Sequence, residues 1–313
     1  MSSFRRHDVF PNDHPLYVGH LGLGTPRNII ETVEQADVVL AIGTRLSEVT
    51  TQDYKLLSTQ KLIHIDIDYD VIGVTYSPHI GVVSDAKEAL KRLLTIQLQP
   101  TWTAWVQERR GTYERVSSLP SIKRNVNEEI IHNLQHLLPS EAIITNDAGN
   151  FASWLHSFFQ FCEHTYIGPT SGAMGYGLPA AIGAKLAKPH RPVVSLSGDG
   201  GFMMTIQELE TAVRYNIPVI SLVFNNKMYG TIRMYQELRY PNRVIGTELG
   251  DISFASLARS FGADGIRVET EKQFSAALTK ALQNNKPTVI EIVTDPCVLS
   301  PFLTVEQARG GKK

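Results

Sequence analysis

The chain has 313 residues, 42% hydrophobic and 19% charged, with a formal net charge of −1. That length supports a buried core and about two domains, and the near-neutral balance gives no electrostatic footing for nucleic acid or an anionic membrane surface. The two cysteines, Cys162 and Cys297, are too few for a disulfide framework and lack metal-ligand spacing, so a reducing cytoplasm is expected. No apolar run suits a membrane span, and the start Phe4-Arg5-Arg6-His7 lacks the apolar core of a signal peptide.

Residues 1–98 read as part of one α/β domain. A helical pattern covers 27–35, a buried strand 38–42 ends at Gly43, and a second strand over 61–67 ends in Asp66 and Asp68. An amphipathic helix over 85–94 closes the unit. Acidic residues at strand ends can receive ribose hydroxyls, but they are also common in solvated loops, and no glycine fingerprint accompanies these. Residues 99–127 read as a linker with one helix. In it Trp102, Trp105 and Val106 are packing anchors, Glu108-Arg109-Arg110 are a solvated face, and Ser117-Ser118 with Pro120 break the pattern.

A second domain follows over 128–313. Asn127-Glu128-Glu129 opens a helix through Leu137, and a strand over 142–145 runs into Asn146-Asp147-Ala148-Gly149-Asn150. The stretch Thr170-Ser171-Gly172-Ala173-Met174-Gly175-Tyr176-Gly177-Leu178-Pro179 then combines glycines that suit close approach of a ligand with a proline at a helix start. A glycine-rich turn before a packed helix explains Pro179 onward, but not Gly172 to Gly175 as well. Met174 is either a core filler or a prop against a ligand.

The densest pattern lies over 193–228. A β-branched strand stops at Gly198-Asp199-Gly200-Gly201, read as a phosphate-sized loop. A helix follows, with Thr205 and Glu208 as a capping box and Ile206, Leu209 and Val213 on one face. A strand over 219–224 then delivers Asn225-Asn226. Strand, helix and parallel strand put both strand ends on one sheet edge, so Asp199 and Asn226 can meet across the 26 residues between them. Magnesium takes one or two protein carboxylates together with substrate phosphates. Asp199, the Asn226 side-chain oxygen and a nearby carbonyl supply that set, while the Gly200 and Gly201 amides can face phosphate oxygens. Each motif alone reads as an ordinary turn; their spacing favours a metal-diphosphate site. A helix over 254–261, a strand over 265–268, a helix over 271–283 and a strand over 288–293 complete a doubly wound parallel sheet. The polar tail over 304–313 is expected to fray.

Gly198-Asp199-Gly200, a 24-residue interval and Asn225-Asn226 resemble the signature of thiamine-diphosphate enzymes. The surrounding text is similar to the acetolactate synthase-like group through most of the chain, including GHLGLGTP from Gly19, GTRLSE from Gly43 and IHIDID from Ile63. The resemblance implies a thiamine-diphosphate-binding α/β fold preceded by an incomplete Rossmann-like middle domain. It implies that Asp199, Asn226 and the Met228 carbonyl hold Mg2+, that Gly200 and Gly201 hold the diphosphate, and that Gly149 and Asn150 lie beside it. Phe151 stands where acetolactate synthases commonly carry histidine. The Gly172 carbonyl would accept from the aminopyrimidine, and Met174 would wedge the cofactor into its bent form.

In flavin-containing members the stretches matching Gly43 to Arg45 and Asp66 to Asp68 lie along FAD, which many relatives lack. The segment after Asn226 would face substrate. Tyr235 stands where acetolactate synthases typically have tryptophan, and Arg233 is either a carboxylate binder or an exposed helix arginine. His156 and His164 carry no assigned role. The implied activity is a carboligase or decarboxylase acting on small 2-oxoacids such as pyruvate, in a homo-oligomer; the alternatives are a non-catalytic thiamine-diphosphate-binding module and an inactive fragment, an α/β scaffold whose loops bind no cofactor. The likeness begins partway into the middle domain, so the activating glutamate has no counterpart here, and a separate pyrimidine-binding domain or subunit is the expected partner. A middle domain without its first strands should expose an apolar face or an open edge and self-associate or order poorly before about residue 98.

Overall fold

In the computed structural model, which describes residues 1–120 and 124–310, the chain divides into two compact units, Met1–Val116 and Ser117–Lys313. The first contains α1 (Arg27–Glu34), β1 (Val38–Ile42), β2 (Lys61–Asp66), β3 (Ile80–Val83), α2 (Ala86–Leu93) and most of α3 (Thr103–Ser117). Its strands pair in parallel in the order β1-β2-β3. Asp85 caps α2, its Oδ1 accepting from the Lys87 and Glu88 amides.

Three expectations for this unit are corrected. The strand read as buried is not: Val38 and Leu40 are 50% and 45% exposed, and β3, which the sequence reading missed, is exposed along its length. The register Leu40↔Ile63↔Ile80 puts apolar side chains in one row that no element of the unit fully covers. Trp102 is 50% exposed, whereas Tyr113 is buried and packs edge-on against Tyr17 at 5.2 Å. Nor are Glu108-Arg109-Arg110 a solvated face. Arg109 is buried, and Arg110 Nη1 donates to the carbonyls of Asn12, His14 and Tyr17 at 2.9 Å, stitching the first loop to α3.

The second unit runs α4 (Val126–Leu137), β4 (Ile143–Asn146), α5 (Ala152–Phe158), β5 (Tyr166–Ile167), α6 (Gly177–Ala187), β6 (Val193–Gly198), α7 (Asp199–Thr205), α8 (Glu208–Arg214) and β7 (Ile220–Asn225). It continues with α9 (Gly230–Arg239), α10 (Phe254–Ser260), β8 (Asp264–Val268), α11 (Glu271–Gln283), β9 (Thr288–Val293), β10 (Val298–Ser300), β11 (Leu303–Thr304) and α12 (Val305–Gly310). Six parallel strands lie in the order β5-β4-β6-β7-β9-β8. Alternation along the strands serves two cores. Ile144, Leu196, Leu222 and Ile290 meet α4, α5 and α11 through Leu134, Leu155 and Leu278. Ile143, Val193, Val223 and Val289 meet α6, α7, α8 and α10 through Leu178, Phe202, Leu209 and Phe254. Covered on both faces, this is the doubly wound sheet that the strand-helix alternation predicts.

Caps differ in detail from the expectation. Asn125 and Glu128 make the capping box that starts α4. The box assigned to Thr205 and Glu208 does not form, because the helix begins at Asp199, directly on leaving β6, so Gly198-Asp199-Gly200-Gly201 is a helix entry rather than a loop. Thr205 Oγ1 donates instead to the Gly175 carbonyl at 2.9 Å. Nor is the tail frayed through residue 310. Val305 and Ala308 of α12 pack with Leu299 against Met234 and Leu238 of α9; residues 311–313 lie outside the described residues.

Candidate functional site

The carboxyl ends of β4, β6 and β7 reach the same edge, aligned by Asn146↔Leu196 and Gly198↔Phe224. At that edge Asp199 is 4% exposed. Its Oδ1 accepts from the Gly200 amide at 2.8 Å, and its Oδ2 accepts from the Asn226 and Met228 amides at 3.2 and 3.3 Å. Asn226 Oδ1 also accepts from the Met228 amide at 3.2 Å. The chain makes this hairpin through Lys227, whose φ of 58° is a left-handed conformation that only a constrained setting sustains in a non-glycine residue.

Met228 forms an antiparallel bridge with Glu248, flanked by Tyr229 N–H donating to the Thr247 carbonyl and Leu249 N–H to the Lys227 carbonyl, both at 2.8 Å. In such a non-hydrogen-bonded pair the residue's own N–H and C=O point away from the partner segment. The Met228 carbonyl is therefore turned to the side on which its amide meets Asp199.

The donor set at this point is one carboxylate, one amide oxygen and one backbone carbonyl. Burial raises the Asp199 pKa, opposed by the amides of Gly200, Lys227, Met228 and Asn226. No cationic side chain is among those partners. A buried carboxylate with these neighbours fits a hard divalent cation, which would reverse the cost of desolvation. Space around the turn is set by glycine. A Cβ on Gly200 would collide with the Tyr229 ring, and one on Gly201 would stand 2.7 Å from Asp147 Oδ2.

Gly149, Asn150, Met174, Gly200, Gly201, Asp199, Asn226 and Met228 all line one cleft, with an empty volume of about 660 Å3. Gly172 is not among its lining residues; it is exposed, with φ +73°. Phe151, in the place of a histidine, stacks on Phe224 at 5.3 Å and is buried. In the first unit, Gly43 follows β1 with φ +60°, and Asp66 ends β2. Tyr235 is 45% exposed and lies below the Arg239 guanidinium. His156 hydrogen-bonds the Tyr166 hydroxyl at 2.8 Å, and His164 is an exposed residue with φ 56°. Arg233 is not the exposed helix arginine of one reading: its side chain is 20% exposed, with Nη1 3.9 Å from Met228 Sδ.

Sequence reasoning missed two polar residues here. Asp147 is fully buried, its Oδ1 accepting from the Gly177 amide at 2.5 Å, so it ties the end of β4 to the start of α6. Burial raises its pKa, against the Gly177, Ser197, Tyr176 and Gly175 hydrogen bonds. Its place directly after a strand was the available signal. Thr231, in the first turn of α9, donates to Asn150 Oδ1 at 2.8 Å and joins α9 to the strand-end loop after β4. Asn225, by contrast, is structural: its Nδ2 donates to Glu291 Oε1 at 2.9 Å and the Ile252 carbonyl at 3.2 Å.

A parallel doubly wound sheet with this strand-edge cleft agrees with what comparison with known proteins returns. Residues 147–292 match the family described as "Thiamine pyrophosphate enzyme, C-terminal TPP binding domain", and residues 1–93 match "Thiamine pyrophosphate enzyme, central domain". The chain belongs to the thiamine pyrophosphate enzymes and is acetolactate synthase-like. It is 34% identical to the probable acetolactate synthase large subunit of Methanocaldococcus jannaschii, over 94% of this chain and 52% of that protein. Against the sulfoacetaldehyde acetyltransferase of Castellaniella defragrans it is 33% identical, over 96% of this chain and 57% of the relative. The acetolactate synthase isozyme 3 large subunit of Escherichia coli is 29% identical, over 97% and 55%. The chain thus spans about half the length of these curated relatives. Among the described residues no helix is long and apolar enough to cross a membrane.

Proposed function

We propose that this chain holds thiamine diphosphate and Mg2+ in the cleft at the ends of β4, β6 and β7, and serves a carboligase or decarboxylase acting on small 2-oxoacids such as pyruvate. The observation that carries the reading is the meeting of Asp199 Oδ2 with the amides of Asn226 and Met228, beside glycines at which a Cβ would crowd the Tyr229 ring and Asp147 Oδ2. Asp199, the Asn226 side-chain oxygen and the Met228 carbonyl would hold the metal. The Gly200 and Gly201 segment would face the diphosphate at the start of α7, with Gly149 and Asn150 across the cleft. When bound, thiamine diphosphate supplies a carbanion that adds to a 2-oxoacid carbonyl and accepts the electron pair left on loss of CO2.

The chain's own part is to anchor and orient. Thr231 fixes the Asn150 amide by occupying its oxygen, while Asn150 Nδ2 donates weakly to Met234 Sδ at 3.9 Å, so α9 holds both ends of that amide. Met174, on the cleft wall, would prop the cofactor, and the Gly172 carbonyl would accept from its aminopyrimidine. No residue here is assigned the proton transfer at the aminopyrimidine; a separate pyrimidine-binding domain or subunit would supply it, in a homo-oligomer. FAD along Gly43 to Arg45 and Asp66 to Asp68 is an optional second ligand.

The test is pyruvate consumption by the folded chain with thiamine diphosphate, Mg2+ and a separately supplied pyrimidine-binding domain from a relative. Turnover that needs both components supports an enzyme. Cofactor binding without any turnover, with both components folded, turns the reading into a non-catalytic binding module.

A further inference from the structure

The hydrogen bonds that make Asn225 structural also reach the turn after β7. Asn225 directly precedes Asn226, and Lys227 must then take its φ of 58° for the Met228 amide to come round to Asp199. Left-handed backbone at a non-glycine residue persists only where its surroundings over-determine it. Asn225 is 4% exposed, and both ends of its side-chain amide are engaged. Its Oδ1 accepts from the Lys227 amide at 3.3 Å, while its Nδ2 donates to Glu291 Oε1 at 2.9 Å and to the Ile252 carbonyl at 3.2 Å. Flipped, the amide would set a donor against Lys227 N–H and an acceptor against Glu291, so one orientation alone is satisfied.

Glu291 is what fixes that orientation. It lies in β9, between β7 and β8, and is fully buried. Its Oε1 also accepts from Arg267 Nη1 of β8 at 3.1 Å, and its Oε2 accepts from the Ala255 amide in the first turn of α10 at 3.0 Å. A carboxylate taken wholly out of water is costly unless it is paired and hydrogen-bonded, and here its partners come from β7, β8 and α10. The group is therefore clamped from three elements, and Asn225 carries that constraint to Lys227. Asp199 faces the same Lys227 amide, but it belongs to the proposed ligand set; Asn225 and Glu291 hold the turn from outside that set.

We infer that Glu291 and Asn225 are positioning residues for the metal site. Glu291 orients the Asn225 amide, and Asn225 holds Lys227 in the left-handed conformation that brings the Asn226 side-chain oxygen and the Met228 carbonyl into line with Asp199. This rests on the cofactor reading above, which names those three ligands. Outer-shell partners of this kind change metal affinity by about 10- to 100-fold when lost. A carboxylate that merely pinned α10 to the sheet would change stability alone.

The experiment is a titration of the full chain with Mg2+ at fixed thiamine diphosphate, followed by tryptophan fluorescence, since Trp154 lines the cleft. Asn225→Ala breaks the link without removing a charge, and Glu291→Leu keeps the bulk but removes every acceptor. Leu278→Ala, at a fully buried position in α11, is the control for general destabilisation, and circular dichroism and urea midpoints verify folding. The expected result is a Kd for Mg2+ raised about tenfold or more in Asn225→Ala and in Glu291→Leu, with the double variant no worse than the weaker single. Leu278→Ala should lower the urea midpoint and leave the Kd unchanged. Asn225→Ala decides the matter if Glu291→Leu does not fold. An unchanged Kd in folded Asn225→Ala, or an equal rise in Leu278→Ala, overturns the inference while leaving the cofactor reading intact. Binding indifferent to Asp199→Ala, or no Mg2+-dependent binding by the parent chain, overturns both.

Discussion

The two units use similar strand text to different ends. VVLAI in β1 and IGVV in β3 are as apolar as VVSLSG in β6 and ISLVFN in β7. Yet β6 and β7 are buried almost throughout, while β3 is exposed at every residue. The difference lies in cover: the six-stranded sheet has helices on both faces, and the three-stranded sheet has a core of few residues, such as Ala41, Leu46 and Leu62. Apolar β-branched runs specify a strand; the elements packed against the sheet decide what that strand contributes.

The largest expected effect sharpens this contrast directly. Leu222→Ala in β7, where the side chain is fully buried, is expected to cost about 2–5 kcal/mol in chemical denaturation. Leu40→Ala in β1, 45% exposed, should cost less than about 1 kcal/mol. Comparable losses would mean that β1 is covered as β7 is. Hydrogen exchange offers a second check, with amides of β7 exchanging only through global opening and those of β3 through local opening, orders of magnitude faster.

Burial, rather than span, divided the two units in legibility. β1 in the first unit and α11 and β9 in the second were all readable to the residue, but only in the second unit are the apolar runs buried as their composition predicts. Asp199 and Asn226 were readable as a pair because strand ends in a parallel crossover share an edge, whereas Met228 came only with the family resemblance. Their hydrogen-bonded meeting through the left-handed Lys227 was not, since nothing in Asn226-Lys227-Met228 announces a positive φ at lysine. Asp147 escaped notice because a buried carboxyl whose Oδ1 accepts from the distant Gly177 amide looks like any loop acid in sequence. In the first unit, Arg110 was misread as solvated: its partners are carbonyls some ninety residues earlier, a long-range contact that no local pattern encodes.

Smaller effects probe the site itself. Thr231→Val removes the donor to Asn150 Oδ1 and is expected to weaken cofactor binding by about two- to tenfold, a hydrogen bond's worth, with no change in the unfolding midpoint of the first unit. Equal affinity in the variant would detach α9 from the site. Asp147→Asn tests the buried carboxyl. Because the Asp147 pKa is raised in the folded chain, its contribution to stability is fully present below the ordinary carboxylate pKa of about 4 and is lost as pH rises through the raised value. The neutral amide should therefore flatten the fall in the urea midpoint over that window; identical slopes in both proteins would show that Asp147 does not titrate there.

The most direct measurement is calorimetric titration of thiamine diphosphate into the full chain, with and without Mg2+, beside Asp199→Ala. The account predicts binding that requires Mg2+ and weakens by about a hundredfold or more in the variant, as loss of a metal-site group does. Binding that is indifferent to both Mg2+ and Asp199, or no binding by a folded sample, would contradict it.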